Sequence, residues 1–166
     1  MKNVVIAIVA VAALTLAYLF FSSSQHAVAD IQFTDIDGTD HQLSEYQGKP
    51  VLMIFWATDC PGCIAEMPEL VKLNQEYGDN LQMIGVAMPH DKLNHIEAMR
   101  RDKAISYPLT WDKDGAIAQA FDNVRVTPTH FLISPKGDIV MRKIGEMKME
   151  QLKQRLAGMG IEPVNS

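Results

Sequence analysis

Six consecutive apolar residues, Val51–Trp56, constrain the fold of this chain more than any other feature of its sequence. A run of this length without a polar member is typical of a strand buried on both faces of a central sheet. A break at Gly48–Pro50 precedes the run, and a helical pattern follows it. That helix is predicted to begin near Pro61 and to end near Gly78, with apolar residues at helical spacing: Ile64, Met67, Leu70, Val71 and Leu73. The sequence therefore predicts an α/β domain whose central sheet is flanked by helices.

The other apolar and turn signals predict the order β-α-β-α-β-α-β-β-α after a small N-terminal hairpin. Alternating residues on both sides of Asp37-Gly38 indicate that hairpin, with strands at 31–36 and 40–43. The last two strands are joined as an antiparallel hairpin by the turn Pro135–Asp138. The predicted elements after Gly78 are strand 81–88, helix 94–103, an extended piece at 107–111, helix 115–121, strands 130–134 and 138–144, and helix 148–157.

The N-terminal part of the chain contains an 18-residue segment, Val4–Phe21, in which one threonine is the only non-hydrophobic residue. As a helix this segment would be roughly 27 Å long, enough to cross the hydrocarbon core of a bilayer. Lys2 precedes it and no further Lys or Arg occurs before Lys49, so the positive-inside rule places the bulk of the chain outside the cytoplasm. The sequence predicts one hydrophobic helix and tether in residues 1–29, anchoring an exported domain, residues 30–166, in the cell inner membrane on the periplasmic side.

A cleaved signal peptide is the alternative for this segment, because Ala27-Val28-Ala29 fits the small-residue rule at cleavage sites. The domain would then be secreted or periplasmic after cleavage near Ala29. The rest of the 166-residue chain has the composition of one soluble domain. The net charge is −5 and no basic cluster extends beyond Arg100-Arg101, so nucleic acid is not an expected partner.

Cys60 and Cys63 are the only cysteines, and they stand as Cys-Pro-Gly-Cys between the predicted central strand and the helix after it. A sulfur at a helix N-terminus meets free N–H groups and the positive end of the helix dipole, which lower its pKa. Cys60 is therefore the expected attacking thiolate, and Cys63 the resolving thiol. A purely structural disulfide would close too short a loop to stabilise the fold much. A zinc site would need four ligands, which the scattered histidines do not supply at a suitable spacing.

The segment from Phe55 to Leu70, FWATDCPGCIAEMPEL, resembles the active-site pattern FWAxWCxxCxxExPxL of the TlpA/ResA-like membrane-anchored thiol-disulfide oxidoreductases. These proteins form a branch of the thioredoxin superfamily. The resemblance extends over nearly the whole exported part and includes Val126–Ile133 with the turn Pro135–Gly137. It implies a thioredoxin-like fold in which a central mixed β-sheet is flanked by helices, with an added N-terminal β-hairpin and an inserted βα unit.

The resemblance also implies roles for individual residues. The Thr127–Pro128 peptide bond is expected to be cis, with its backbone against the cysteine pair. Glu66, one helical turn after the second cysteine, is expected to lie half-buried near the cysteines and to exchange a proton with a thiol. An exposed glutamate in the first turn of the helix, which complements the helix dipole, is the alternative. The implied catalytic residues are Cys60, Cys63, Glu66 and Pro128, and the implied substrate-binding residues are Trp56, Pro61, Gly62 and Thr127.

Two positions depart from the pattern of the superfamily. Ile54 stands where thioredoxin carries a buried aspartate, which leaves Glu66 and Asp59 as the local carboxylates. Asp59 replaces the tryptophan that usually precedes the first cysteine, and its charge is expected to oppose thiolate formation on Cys60. His90, in the loop after the second predicted strand, is expected to be solvated. For Trp56, packing against the sheet is the alternative to contact with substrate.

The exchange cycle that the resemblance implies needs no metal and no organic cofactor. Its partners would be protein thiols and disulfides, a membrane reductase that supplies electrons, and the membrane itself through residues 4–21. The usual direction in the family is reductive, in cytochrome c maturation or in reducing specific substrate thiols. A DsbA-like disulfide-introducing oxidase and a thiol-independent binding or chaperone module are the alternatives. Peroxidase chemistry is disfavoured because Met53 and Ala57 replace the proline and threonine of the pattern Pro-x-x-x-Thr-x-x-Cys.

Overall fold

A five-stranded mixed sheet forms the centre of the computed structural model, which describes residues 11–13, 15, 16 and 31–164. The strands are β1 (Gln32–Thr34), β2 (Asp40–Gln42), β3 (Val51–Trp56), β4 (Gln82–Ala87), β5 (Leu109–Trp111), β6 (Thr129–Ile133) and β7 (Ile139–Ile144). The sheet has the order β5-β4-β3-β6-β7, and β1 and β2 form a separate antiparallel hairpin. β3, β4 and β5 are parallel, whereas β6 is antiparallel to both of its neighbours.

Four helices follow the order that the sequence predicts. They are α1 (Pro61–Tyr77), α2 (Leu93–Asp102), α3 (Ala116–Ala120) and α4 (Met149–Gly158), and short 3-10 turns occur at Leu43–Tyr46 and Gly78–Asn80. α1 ends where the sequence predicts, because Gly78 takes a positive φ of 48° that few other residues adopt. The predicted order of strands and helices is therefore confirmed, and the ends of the elements differ only slightly from the predicted ones.

Every residue of β3 is buried, as the all-apolar run predicts for a strand at the middle of the sheet. On one face, Phe55 packs with Phe131 of β6 and with Phe121, which follows α3, and the ring centroids are 4.9 to 5.8 Å apart. On the other face, Ile54 is the register partner of His130, and α1 packs on this side. The core therefore has a phenylalanine side and an α1 side.

The end of β3 and the start of β6 meet at one edge of the sheet, because Phe55 is the register partner of Thr129. The Cys-Pro-Gly-Cys loop follows β3, and Pro128 immediately precedes β6. The Thr127–Pro128 peptide bond is cis, as the resemblance implies. The antiparallel pairing of β3 with β6 thus brings together two segments that lie far apart in the sequence.

The predicted N-terminal anchor helix lies outside the described residues, apart from the helical residues 11–13, 15 and 16. Within the part of the chain that the structure describes, no helix combines the length and the apolar character that crossing a bilayer requires. The division of the chain into residues 1–29 and 30–166 stays a prediction.

Candidate active site

The two cysteines lie at the N-terminus of α1 and form a disulfide. Cys60 is the N-cap residue with an extended backbone, and Pro61 occupies the first helical position, where a missing N–H costs no helical hydrogen bond. The backbone N–H of Cys63 donates to Sγ of Cys60 at 3.2 Å. In the reduced protein, the same N–H and the helix dipole stabilise a thiolate at this sulfur.

Exposure distinguishes the two cysteines. Cys60 retains 9% of its surface, whereas Cys63 retains 1%. Because thiol-disulfide exchange requires access to the attacked sulfur, Cys60 is the residue that a partner protein can reach. The buried Cys63 is then placed to reach a mixed disulfide at Cys60 from inside the protein.

The cis-proline segment packs against the Cys-Pro-Gly-Cys loop at Gly62. A Cβ atom added to Gly62 would lie 3.6 Å from Cδ of Pro128 and 3.2 Å from Oε1 of Glu146. The backbone N–H of Gly145 donates to the carbonyl oxygen of Pro128 at 2.8 Å, which ties the loop after β7 to the cis-proline segment. A side chain at this position would be in ordinary contact with Pro128 and would crowd only the carboxylate of Glu146. Glu146 is a residue of this site that the sequence does not predict.

The surface around Cys60 includes three of the four residues expected to bind substrate. Pro61 is exposed, and Gly62 and Thr127 are partly exposed. Val126, just before the cis-proline segment, is 56% exposed and adds an apolar side chain. This arrangement offers a partner chain both backbone and apolar contacts beside the reactive sulfur.

The fourth expected substrate-binding residue, Trp56, lies in the core. It is 2% exposed, and its Nε1 is 3.2 Å from the position that a Cβ of Gly85 would occupy on β4. The structure therefore favours packing over substrate contact for this side chain. The next residues of the loop are fixed by Asp91, a buried carboxylate that accepts hydrogen bonds from the N–H and the hydroxyl of Thr58 at 2.8 and 2.6 Å.

Glu66 is buried, at 6% exposure, and not half-buried as the resemblance implies. It lies on α1 one turn after Cys63. Its Oε1 is 2.8 Å from Nε2 of His130 on β6, and its Oε2 accepts a hydrogen bond from the N–H of Met147 at 3.0 Å. A carboxylate without such partners would be costly to bury, by several kcal/mol. The two hydrogen bonds explain why the fold tolerates this residue inside.

The sequence does not single out His130, which appears there as one of five scattered histidines. In the structure this side chain is fully buried and lies on the α1 side of the sheet, opposite Ile54 on β3. Strand alternation is the signal that could have identified it. Phe131 faces the phenylalanine side, so its neighbour His130 must face α1. Glu66 is the only acidic side chain that is buried on α1.

Tyr107 is a third polar side chain near this buried pair. Burial raises the pKa of Tyr107, and the charge of Glu66 acts in the same direction. The phenol therefore remains neutral throughout the physiological pH range and does not compete with Glu66 as a base.

Asp59 and His90 form an exposed pair next to the reactive cysteine. Oδ1 of Asp59 is 3.3 Å from Nε2 of His90, and the side chains are 76% and 57% exposed, respectively. Water and salt screen charges at such exposure. The expected opposition of Asp59 to thiolate formation on Cys60 is therefore weaker than a buried carboxylate would exert.

Comparison with known proteins places this geometry in a family. Residues 24–142 match the AhpC/TSA family. The chain is 31% identical over 165 residues to the thiol-disulfide oxidoreductase ResA of Geobacillus thermodenitrificans (strain NG80-2), covering 94% of this chain and 92% of that protein. It is 27% identical over 122 residues to the sporulation thiol-disulfide oxidoreductase A of Bacillus subtilis (strain 168), covering 72% of this chain and 73% of that protein.

A solved structure supports the same relationship. The crystal structure of the pneumococcal exposed lipoprotein thioredoxin from Streptococcus pneumoniae strain TIGR4 matches with a TM-score of 0.70 and 27% sequence identity, covering 78% of this chain and 99% of that chain. The expected thioredoxin-like fold, with a mixed central sheet flanked by helices, is thereby confirmed. The chain belongs to the AhpC/TSA family, and within it this protein is a thioredoxin-like thiol-disulfide oxidoreductase related to ResA.

Proposed function

We propose that this oxidoreductase works in the reductive direction, as an electron donor to disulfides of exported proteins. The supporting observation is the set of carboxylates around the cysteine pair: Glu66, buried one turn after the second cysteine, and Glu146 against Gly62, with a smaller contribution from the exposed Asp59. Negative charge near the sulfurs disfavours a thiolate. A disulfide whose reduced form is poorly stabilised is a weak oxidant, whereas oxidases of the DsbA type have a stabilised reduced form.

In the proposed cycle, the Cys60 thiolate attacks a disulfide of the partner protein, and one partner sulfur leaves as a thiol. Cys63 then attacks the sulfur of Cys60, the second partner sulfur leaves, and the Cys60–Cys63 disulfide remains. Two electrons have passed to the partner. Glu66 takes the proton that Cys63 loses. A membrane reductase returns the protein to the dithiol form. The proposed substrates are exported proteins whose cysteines have been oxidised to a disulfide, such as those of cytochrome c maturation.

The reduction potential of the Cys60/Cys63 pair tests the direction. We expect a value near or below about −250 mV, in the range of thioredoxin. The full chain in detergent is equilibrated with graded glutathione or dithiothreitol buffers, and the reduced fraction is counted by thiol alkylation and mass spectrometry. The variant Glu146→Gln removes one carboxylate charge and should raise the potential by about 10 mV, because the thiolate is then less opposed. A value near about −120 mV would support the DsbA-like oxidase instead.

For the location of the protein, we propose that residues 4–21 hold it in the cell inner membrane, with the thioredoxin-like domain in the periplasm. The support is the uncharged apolar segment preceded by Lys2. A relative that is described as an exposed lipoprotein agrees with export. Release into the periplasm after cleavage near Ala29 is the alternative.

A fusion of alkaline phosphatase after Ser166 tests export, because this reporter folds only where its disulfides can form. We expect activity from the full-length fusion and none from the same fusion without residues 1–29. The mass of the purified full-length chain then separates an intact anchor from a chain that begins at Asp30. An inactive full-length fusion, produced at the normal level, would contradict export.

A further inference from the structure

The buried pair of Glu66 and His130 has an unused hydrogen-bonding position. His130 has no exposed surface, and its Nε2 is 2.8 Å from Oε1 of Glu66. Its Nδ1 is also buried and has no hydrogen-bond partner among the described residues. An ionised carboxylate only accepts hydrogen bonds, so the proton between the two groups is assigned to Nε2 when Glu66 is charged.

The position of the pair connects it with the resolving cysteine. Glu66 follows Cys63 by three residues, so both lie on one face of α1, and both are buried there. His130 reaches this face from β6, the strand that begins directly after the cis-proline bond. Solvent has little access to Cys63, which is 1% exposed, so we expect slow loss of its thiol proton to water at neutral pH.

The other ionisable groups around the pair are few. Tyr107, before β5, remains neutral because burial raises its pKa. Lys143 of β7 is the register partner of His130 and is partly exposed. On α1 the neighbouring ionisable group is Cys63, and the loop after β7 contributes the N–H of Met147 to Glu66. Among these described residues, Glu66 is thus the acidic group one helical turn from the buried Cys63, and His130 contacts that group directly.

We propose that His130 is a positioning residue for the resolving step: its hydrogen bond orients the carboxylate of Glu66, so that Glu66 can exchange a proton with Cys63. The inference rests on the proposed proton-transfer role of Glu66. The imidazole N–H of His130 and the backbone N–H of Met147 each donate to one oxygen of this carboxylate. Together they fix its orientation on the face of α1 that also carries Cys63.

The resolving step moves one proton and exchanges one sulfur–sulfur bond for another. The thiol proton of Cys63 passes to the carboxylate of Glu66, and the sulfur electron pair forms the bond to Sγ of Cys60. The bond between Cys60 and the partner sulfur breaks, and its electron pair leaves on that sulfur, which takes a proton from solvent. When a donor thiolate later attacks Cys60, the electron pair of the disulfide returns to Cys63, which recovers the proton from Glu66.

A stopped-flow reaction of the reduced full chain in detergent with dithiobis(nitrobenzoate) separates the two thiols. Attack by Cys60 releases the first coloured thiolate, and resolution by Cys63 releases the second. We expect His130→Leu to leave the first phase within about twofold of the unmodified chain and to slow the second about tenfold or more at neutral pH. The difference in second-phase rate between His130→Leu and the unmodified chain should become smaller as the pH rises, because hydroxide then deprotonates the Cys63 thiol. His130→Gln, which retains an N–H donor, should recover most of the rate.

The control is His41→Gln, which removes the histidine of another part-buried pair: Nε2 of His41 is 2.9 Å from Oδ2 of Asp35 in the N-terminal hairpin. This variant should change neither phase. The double variant Glu66→Gln with His130→Leu should resolve no more slowly than Glu66→Gln alone, because His130 acts through Glu66. If the double variant resolves more slowly than Glu66→Gln alone, the proposal is wrong. An unchanged second phase in His130→Leu would overturn it as well.

Two further outcomes keep the proposal separate from the function on which it rests. If Glu66→Gln resolves at the normal rate, the role of Glu66 fails, and the inference fails with it. If Glu66→Gln is slow and His130→Leu is normal, only the inference fails. Should His130→Leu not fold, the unmodified chain is used with nitrogen-labelled histidine. The ring signals of His130 should then differ between the oxidised and the reduced protein while those of His41 stay the same, and unchanged His130 signals would reject the proposal.

Discussion

Replacing Cys60 with serine is expected to reduce thiol-disulfide exchange to the rate of the uncatalysed reaction. Cys60 is the sulfur that a partner can reach, and a serine hydroxyl neither ionises at neutral pH nor forms a mixed disulfide. Cys63 cannot take over the attack, because 1% exposure leaves it no access to a partner disulfide. The reduction of insulin disulfides by dithiothreitol, followed as turbidity, measures the loss.

Cys63→Ser is the matched variant, and it should give a different product. Its Cys60 still attacks, but no thiol resolves the complex, so covalent adducts with partner proteins should accumulate. Gel electrophoresis without reductant shows the adducts, and Cys60→Ser should form none. If Cys60→Ser formed adducts with partner proteins, or if it catalysed exchange at the normal rate, the assigned order of the two thiols would be wrong. If both variants suppress the aggregation of unfolded chains as well as the unmodified protein does, the thiol-independent chaperone function gains support.

The parts of this fold that sequence alone predicts depend on contiguous patterns. Val51–Trp56 is a central strand because six adjacent apolar residues leave no face for solvent. The Cys-Pro-Gly-Cys motif fixes its own geometry, since Pro61 suits the first helical position and the N–H of Cys63 reaches the sulfur of Cys60 three residues earlier. The cis isomer of the Thr127–Pro128 bond is predicted from the family resemblance alone, because nothing in the neighbouring residues requires that isomer.

The surroundings of the cysteines could not be predicted in the same way, because they depend on contacts between distant residues. Glu66 is joined to His130, 64 residues away, and to Met147, 81 residues away. Either contact requires the register of β6 against β3 and the path of the loop after β7. Glu146 likewise reaches Gly62 only through that loop. The sequence therefore identifies the candidate reactive sulfurs, whereas tertiary packing determines which side chains surround them.

Glu66 is a residue whose surroundings the sequence leaves open and the structure determines. A glutamate one turn after a cysteine fits an exposed helix residue and a proton carrier equally well, as far as spacing is concerned. The structure excludes the exposed position, since the carboxylate is 6% exposed and both of its oxygens have hydrogen-bond partners, and the proton-carrier role stays a proposal. A buried ionisable side chain held by a histidine is costly to retain for packing alone.

Replacing Phe121 with alanine is expected to lower the free energy of unfolding by about 3–5 kcal/mol. The ring is fully buried, and its centroid is 5.4 Å from that of Phe55 and 4.9 Å from that of Phe131. The substitution leaves a cavity beneath the central strand that carries the active-site loop, and the surrounding rings can fill it only in part. Denaturant unfolding of the full chain in detergent, followed by tryptophan fluorescence, gives the change.

Val140→Ala is the control, because this side chain on the edge strand β7 is 42% exposed and its truncation should cost about 0.5 kcal/mol or less. The loss at Phe121 is large compared with the total stability of a single domain, which is typically about 5–15 kcal/mol. α3 has five residues and cannot be stable alone, so it depends on the phenylalanine that follows it. If Phe121→Ala and Val140→Ala lowered the free energy of unfolding equally, the three-ring cluster would not be part of the stabilising core. The rigid support that β3 gives to the cysteine loop would then be in question as well.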